Sequence, residues 1–319
     1  MVCSLSSRRL HWLQRLTPES YVGQQCYEGL KAFRHEDGQI RIFRPDQNAV
    51  RMQYSASFIA IPPPPVELFL KSVNLAVAKN AEFVPPYETG ASMYIRPLLF
   101  GSSAQLGLSP PEEYTLVVYV LPVGVYHGVK PTAALILENF DRAAPHGTGS
   151  AKVGGNYAPV LIHSEAAYKN GYGITLHLDS ATRTHIDEFS TSGFLAIKPA
   201  TTADGKPTLV IPDSNSVIQS VTSKSAAEIA KNRLGWNVEV RPIHYSEIES
   251  FSEVFAAGTA AGLLPIKSIE LKSKGINKVY CETDAPGEAY NQLCYLLKGI
   301  QRGIVEDTDS WCKLVEAPQ

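Results

Sequence analysis

Short runs of β-branched and aromatic residues alternate irregularly with isolated amphipathic stretches along this chain, and glycine or proline punctuates most of the changes. That spacing excludes a regular βαβ array and predicts an α/β (α+β) protein built as two lobes around mixed or antiparallel sheets. Residues 31–44, KAFRHEDGQIRIFR, read as a hairpin turned by Asp37 and Gly38. Pro45 and Asp46 then open a helix to about residue 60, in which Ala49, Met52 and Ala56 share one face and Arg51 lies beside that stripe. The prolines at 62–65 stop it, and a second amphipathic helix follows over 66–81. Strand-like runs at 92–100 and 114–121 complete an N-terminal α/β layer. The segment PVGVYHGVKP at 122–131 is read as the loop joining a small domain, 1–121, to a large one, 132–319. In the large domain β runs are expected at 133–137, 173–179, 184–188, 194–198, 207–211, 238–240 and 254–257, and helices at 157–169, 223–234 and 288–302.

A chain of 319 residues suits two domains or one large one. Its formal charge of -2 offers no basic field for nucleic acid. The longest apolar stretch, 115–125, is broken by Pro122 and is too short to span a bilayer, so no membrane segment is expected. Five cysteines, an odd count without a CxxC pair, support neither a disulfide framework nor a zinc site, and the eight histidines show no ligand spacing. No metal is expected. The expected compartment is intracellular and reducing, the cytoplasm first. The first sixteen residues carry three arginines and no acid, which resembles a weak mitochondrial presequence and makes the mitochondrion the alternative.

The segment at 147–157, GTGSAKVGGNY, sets one lysine between glycine-rich turns. No Asp, Glu, Arg or other Lys falls between 143 and 155, and glycines at 147, 149, 154 and 155 remove bulk around Lys152. An amine so placed is expected to be poorly hydrated and suited to Schiff-base chemistry. Two nucleotide readings fail by spacing. A P-loop needs Gly before its Lys and Ser or Thr after it, but Lys152 stands between Ala151 and Val153. In the Rossmann fingerprint a glycine belongs where Lys152 stands. Separately, Ser220, Val221 and Thr222 precede a helix, so their backbone amides and the helix dipole make an anion site.

Six segments carry a family resemblance: YEGLKAFR at 27–34, FRPDQNAVRM at 43–52, YIRPLLFG at 94–101, RAAPHGTGSAKVGGNYAP at 142–159, IDEFST at 186–191 and GTAAGLLPI at 258–266. In this order they resemble the branched-chain amino acid aminotransferases, which are pyridoxal-phosphate enzymes of fold type IV, and the likeness runs from about residue 21 to 311. The resemblance implies a two-domain protein in which Lys152 forms the imine with pyridoxal 5′-phosphate and then moves the substrate proton. It places Glu188 opposite the pyridine nitrogen, Tyr157 on the phenolic oxygen, and Arg51, Val221, Thr222 and Thr259 around the phosphate, with Thr191 among the cofactor contacts. Alone, Glu188 would read as an exposed strand-end acid and Tyr157 as core packing. Tyr94 and Arg96 match residues of the substrate pocket, Tyr27 matches a wall aromatic that is usually Phe, and the amides of Thr259 and Ala260 match the turn that receives the α-carboxylate. A homodimer is implied by the same likeness.

The implied activity moves an amino group between an L-amino acid, with glutamate or a branched-chain amino acid as donor, and a 2-oxo acid. Other fold type IV chemistries remain alternatives, namely D-amino acid transaminases, (R)-amine transaminases and aminodeoxychorismate lyases, as does a noncatalytic scaffold that binds pyridoxal phosphate. Four features depart from the family. Ser220 and Ser223 replace the usual Gly and Arg around the phosphate turn, and Val22 replaces a tyrosine five residues before Tyr27. The smaller, less polar wall at Val22 predicts a preference for longer or bulkier aliphatic 2-oxo acids. About forty residues that usually precede Tyr21 are missing or replaced, an estimate on the scale of domain sizes. The DRAAPHGTG and EFSTSG variants look closest to fungal members, some of which serve peptide-toxin pathways.

Overall fold

The computed structural model describes residues 23–124, 130–202 and 205–317, and two sheets organise them. The expectations for the first sixteen residues, for Tyr21 and Val22, and for part of the 122–131 loop lie outside the described residues.

The first sheet is antiparallel throughout and contains β1 (Gln25–Tyr27), β2 (Leu30–Arg34), β3 (Ile40–Phe43), β4 (Ser92–Gly101) and β5 (Tyr114–Val123). The expected hairpin is β2–β3. Gly38 takes a positive φ of 77° at its tip, and the Asp37 carboxylate accepts from the Gln39 amide at 2.9 Å and pairs with Arg41 at 2.7 Å. Helix α1 (Pro45–Phe58) starts on proline as predicted and buries Ala49, Met52 and Ala56, with Asn48 and Ser55 on the same face. Its cap residue Arg44 has a left-handed φ of 46°. The strain is held by three contacts: the Arg44 amide donates to Trp311 O, its guanidinium pairs with Glu228 at 3.0 Å, and Cζ stacks 4.4 Å from the Trp311 ring. Helix α2 (Val66–Ala78) turns Phe69, Val73 and Val77 inward at four-residue spacing.

The second sheet comprises β6 (Thr132–Ile136), β7 (Ile174–Leu178), β8 (Ile186–Phe189), β9 (Ser192–Lys198), β10 (Thr208–Pro212), β11 (Asn237–Arg241), β12 (Glu253–Gly258), β13 (Gly262–Leu271) and β14 (Ile276–Val279). It is mixed, as expected: β6–β7, β6–β13 and β10–β11 are parallel and the other pairs antiparallel. Because β9 also pairs with β8, strands β9, β12, β13, β6, β7 and β8 close into a ring. Alternate residues of β9 feed two cores. Leu195 and Ile197 pack with residues of α4 (Val221–Asn232) and α5 (Glu288–Arg302), while Phe194 and Ala196 join Ile136, Leu176 and Phe189. Between β6 and α4 lies α3 (Val160–Lys169), which begins later than predicted because Gly154–Asn156 form a 3₁₀ turn and Pro159 occupies the cap. Finally β15 (Cys312–Leu314) returns to the first sheet and pairs with β3, Cys312 opposite Phe43.

Strands β1, β13, β14 and β15 are absent from the sequence reading. Three of them are four residues or shorter, and β13 carries Gly262, Pro265 and a register shift between Ile266 and Ser268, which mask its alternation. Cys26, Cys281, Cys294 and Cys312 are unpaired thiols. No helix among the described residues is long and apolar enough to cross a membrane.

Candidate active site

The lysine loop is tied by its backbone to β1 and α1. Tyr27 N donates to Lys152 O at 3.1 Å, Lys152 N donates to Ser55 Oγ of α1 at 2.9 Å, and Val153 bridges to Cys26. The buried Asn156 side chain staples the loop to itself, donating to Thr148 O at 2.7 Å and Ala151 O at 2.8 Å while accepting from Thr148 Oγ1 at 2.9 Å. Among the four glycines of this loop, Gly149 is the one that packing requires. A Cβ there would sit 2.4 Å from both Ala143 Cβ and the Ser216 carbonyl oxygen. Gly149→Ala is therefore expected to cost about 1–3 kcal/mol, read by urea unfolding, because a backbone oxygen has to give way.

Lys152 Nζ donates to Tyr157 Oη at 2.9 Å and lies 4.7 Å from the centroid of the Tyr27 ring. The two tyrosine rings are 5.5 Å apart. Burial works to raise the Tyr157 pKa, but the Lys152 ammonium, the Arg142 guanidinium and the Tyr27 hydroxyl outweigh it and lower it. Tyr27 moves the other way, raised by burial and by its neighbour Tyr157. Tyr157 is thus the readier of the two to carry negative charge. Beyond Tyr27 lies Arg96, its Cζ 4.9 Å from that ring and its Nη2 donating to Tyr94 Oη at 2.9 Å. Tyr94 reaches this point because Gly29 opposite has no side chain; a Cβ on Gly29 would meet Tyr94 Oη at 2.3 Å.

A second cluster joins an arginine to a helix N-terminus. Arg51 is held by the fully buried Glu28 in a bidentate pair, Nε to Oε1 and Nη2 to Oε2 both at 2.7 Å, and its Nη1 donates to Gln219 O at 2.9 Å. Burial alone would lower the Arg51 pKa, and Glu28 outweighs it and raises it. Gln219 leads into α4, where Ser220 Oγ accepts from Ser223 N at 3.1 Å as an N-cap. Helix α4 begins at Val221, two residues earlier than predicted, so Val221 and Thr222 stand in its first turn. They line one cleft with Gly29, Asn48 and Thr259. Thr259 Oγ1 donates to Gly29 O at 3.2 Å, and Ala260 follows it in the β12–β13 turn. Thr191 is exposed in the turn between β8 and β9.

Glu188 is buried, unlike the exposed acid it would read as if taken alone, and its partner is Arg142, which sequence reasoning did not single out. Glu188 Oε1 also accepts from Ile218 N at 3.3 Å, and Arg142 Nη2 donates to Gly149 O at 3.3 Å. Burial lowers the Arg142 pKa. Arg142 stands close enough to Tyr157 to lower that phenol, so it joins Glu188 electrostatically to the lysine cluster. The available signal was its position at the edge of the 143–155 run that carries no other Arg, Lys, Asp or Glu than Lys152. Glu28 was missed as well, since nothing local marks an acid whose partner lies on another element.

These residues suit a phosphorylated aldehyde cofactor. An amine sits on a phenol, a helix N-terminus with an arginine forms an anion cradle, and Arg142 Nη1, Arg96 Nε and Ser223 Oγ are buried donors without a protein acceptor. The chain matches the family Amino-transferase class IV over residues 25–269. It belongs to the class IV aminotransferases. This aminotransferase is accordingly a pyridoxal-phosphate-dependent enzyme. It is 53% identical to aminotransferase poxL of Penicillium oxalicum over 95% of this chain and 82% of that protein. It is 49% identical to the branched-chain amino acid aminotransferase gloG of Glarea lozoyensis over 95% of this chain and 85% of that one. Its fold matches the branched-chain amino acid aminotransferase from Thermobaculum terrenum, solved in its PLP holo-form, at a TM-score of 0.74 and 21% identity, covering 98% and 94% of the two chains.

Proposed function

We propose that this aminotransferase moves an amino group between an L-amino acid, glutamate as the donor and a branched-chain or longer aliphatic amino acid as its counterpart, and a 2-oxo acid. The observation that carries the reading is the Lys152 Nζ contact to Tyr157 Oη at 2.9 Å, with Arg96 on the far side of Tyr27. Bound pyridoxal phosphate supplies an aldehyde for the substrate nitrogen and a ring that accepts electrons. Lys152 would then serve as nucleophile and as the base that moves the proton between the substrate Cα and the C4′ carbon of the cofactor. Tyr157 would hold the phenolic oxygen, and Glu188, braced by Arg142, would keep the pyridine nitrogen protonated, with Thr191 among the cofactor contacts. Arg51, Thr259 and the first-turn amides at Val221 and Thr222 hold the phosphate. Tyr27, Tyr94 and Arg96 form the substrate pocket, and the Thr259 and Ala260 amides take the α-carboxylate.

Similarity to the Penicillium and Glarea aminotransferases supports a fungal enzyme, and the likeness of the DRAAPHGTG and EFSTSG segments to fungal members is what suggests an unusual amino acid for a peptide product. A second copy of the chain completes the assembly in this reading. The exposed Leu161, Ile162 and Tyr168 on α3 suit such a contact. A screen of 2-oxo acids of graded chain length, with glutamate as donor, tests the substrate class. The longer aliphatic acids are expected to turn over fastest, and equal rates for the acids of valine and 2-aminooctanoate would contradict the preference.

A further inference from the structure

The turn joining β12 to β13 is flanked by Gly258 and by Gly262, whose φ is 76°, so it has little conformational stiffness of its own. Two bonds from the first sheet tie it down. Thr259 Oγ1 donates to Gly29 O at 3.2 Å, and Lys31 Nζ donates to Ala260 O at 2.7 Å. Lys31 lies on β2 and forms no ion pair among the described residues. The charged group that acts on it is another cation, Lys298 of α5, whose Cε comes within 3.9 Å of where Gly262 would carry a Cβ. Burial, and then Lys298, push the Lys31 ammonium down to about 8. Two ammonium groups beside one glycine-flanked turn are unfavourable unless an anion shares the space.

We propose that Lys31 is a positioning residue for the substrate carboxylate. By holding the Ala260 carbonyl it fixes the tilt of the turn, and with Lys298 it supplies positive charge next to the amides at Thr259 and Ala260. The inference rests on the reading of that turn as the carboxylate site. It assigns Lys31 a task that YEGLKAFR, as a motif, leaves unexplained.

The test uses the full chain loaded with pyridoxal phosphate and a probe that has a carboxylate but no amine, 4-methylvalerate, with 4-methylvaleramide as its uncharged counterpart. Binding is measured by calorimetry. Lys31→Met is expected to weaken 4-methylvalerate about tenfold and to raise the donor KM by a similar factor. The amide probe, kcat and cofactor affinity should change by less than about twofold. Lys31→Arg should recover most of the loss. Equal weakening of both probes would mean lost shape, not lost charge, and unchanged 4-methylvalerate binding would show that the tie does nothing for the anion; either overturns the proposal. Should Lys31→Met lose its circular dichroism, Lys31→Gln carries the same comparison, since it keeps a donor for Ala260 O. Failure of the wild-type protein to bind 4-methylvalerate at all would instead overturn the reading of the turn, and the proposal with it.

Discussion

Lys152→Ala is expected to reduce transamination by on the order of 10⁴-fold or more while leaving the fold in place. Both expectations come from the same geometry. The backbone at 152 is held from two sides, by Ser55 Oγ at 2.9 Å and Tyr27 N at 3.1 Å, and these bonds do not involve the side chain. What is removed is the Nζ between two phenols, and with it the main charge lowering the Tyr157 pKa. The protein should still take up pyridoxal phosphate through Arg51 and the α4 amides, but neither bleach with an L-amino acid nor keep label after borohydride reduction. Its melting temperature should move by no more than about 2–4 °C. Turnover within tenfold of wild type would remove Lys152 from the reaction.

Glu188→Gln is expected to be the second most damaging change, and to act on stability as well as rate. The side chain keeps its shape and an oxygen for Ile218 N, yet it leaves the buried Arg142 guanidinium without its paired carboxylate, Asp187 being the acid that still acts on it. Breaking one half of a buried pair costs about 3–5 kcal/mol. Denaturant unfolding should show that loss, and pairing the change with Arg142→Met should restore a good part of it, because the stranded cation is then gone. With Glu188 proposed as the anion opposite the ring nitrogen, its loss is expected to lower kcat by about 10²–10³-fold. The double variant should stay slow. Recovery of stability without recovery of rate would separate the structural task of this pair from its chemical one.

Much of the local architecture was legible because it is written in neighbouring residues. Pro45 with the Ala49, Met52 and Ala56 stripe gave α1, Asp37 and Gly38 gave the β2–β3 turn, and the 288–302 pattern matches α5. The closed ring was not legible. It depends on β6 meeting β13 and on β9 pairing with three neighbours, which no periodicity encodes. The site divides in the same way. Lys152 and Tyr157 lie in one turn of chain and share a motif, so they were found together. Glu28 and Arg51 are 23 residues apart and on different elements, and Arg142 finds Glu188 only after β6, β7 and β8 have paired. Burial, too, is invisible in a single sequence, which is why Glu188 taken alone reads as a surface acid.

Strand β15 has a bearing on how the molecule comes into being. The sheet begun by β1, β2 and β3 gains its outer edge from Cys312–Leu314, and Arg44 meets Trp311 there as well. Synthesis runs from the N-terminus, so that segment leaves the ribosome only after every strand of the second sheet. The nascent first sheet must therefore wait, with one edge of β3 bare, while the whole of the second is being translated.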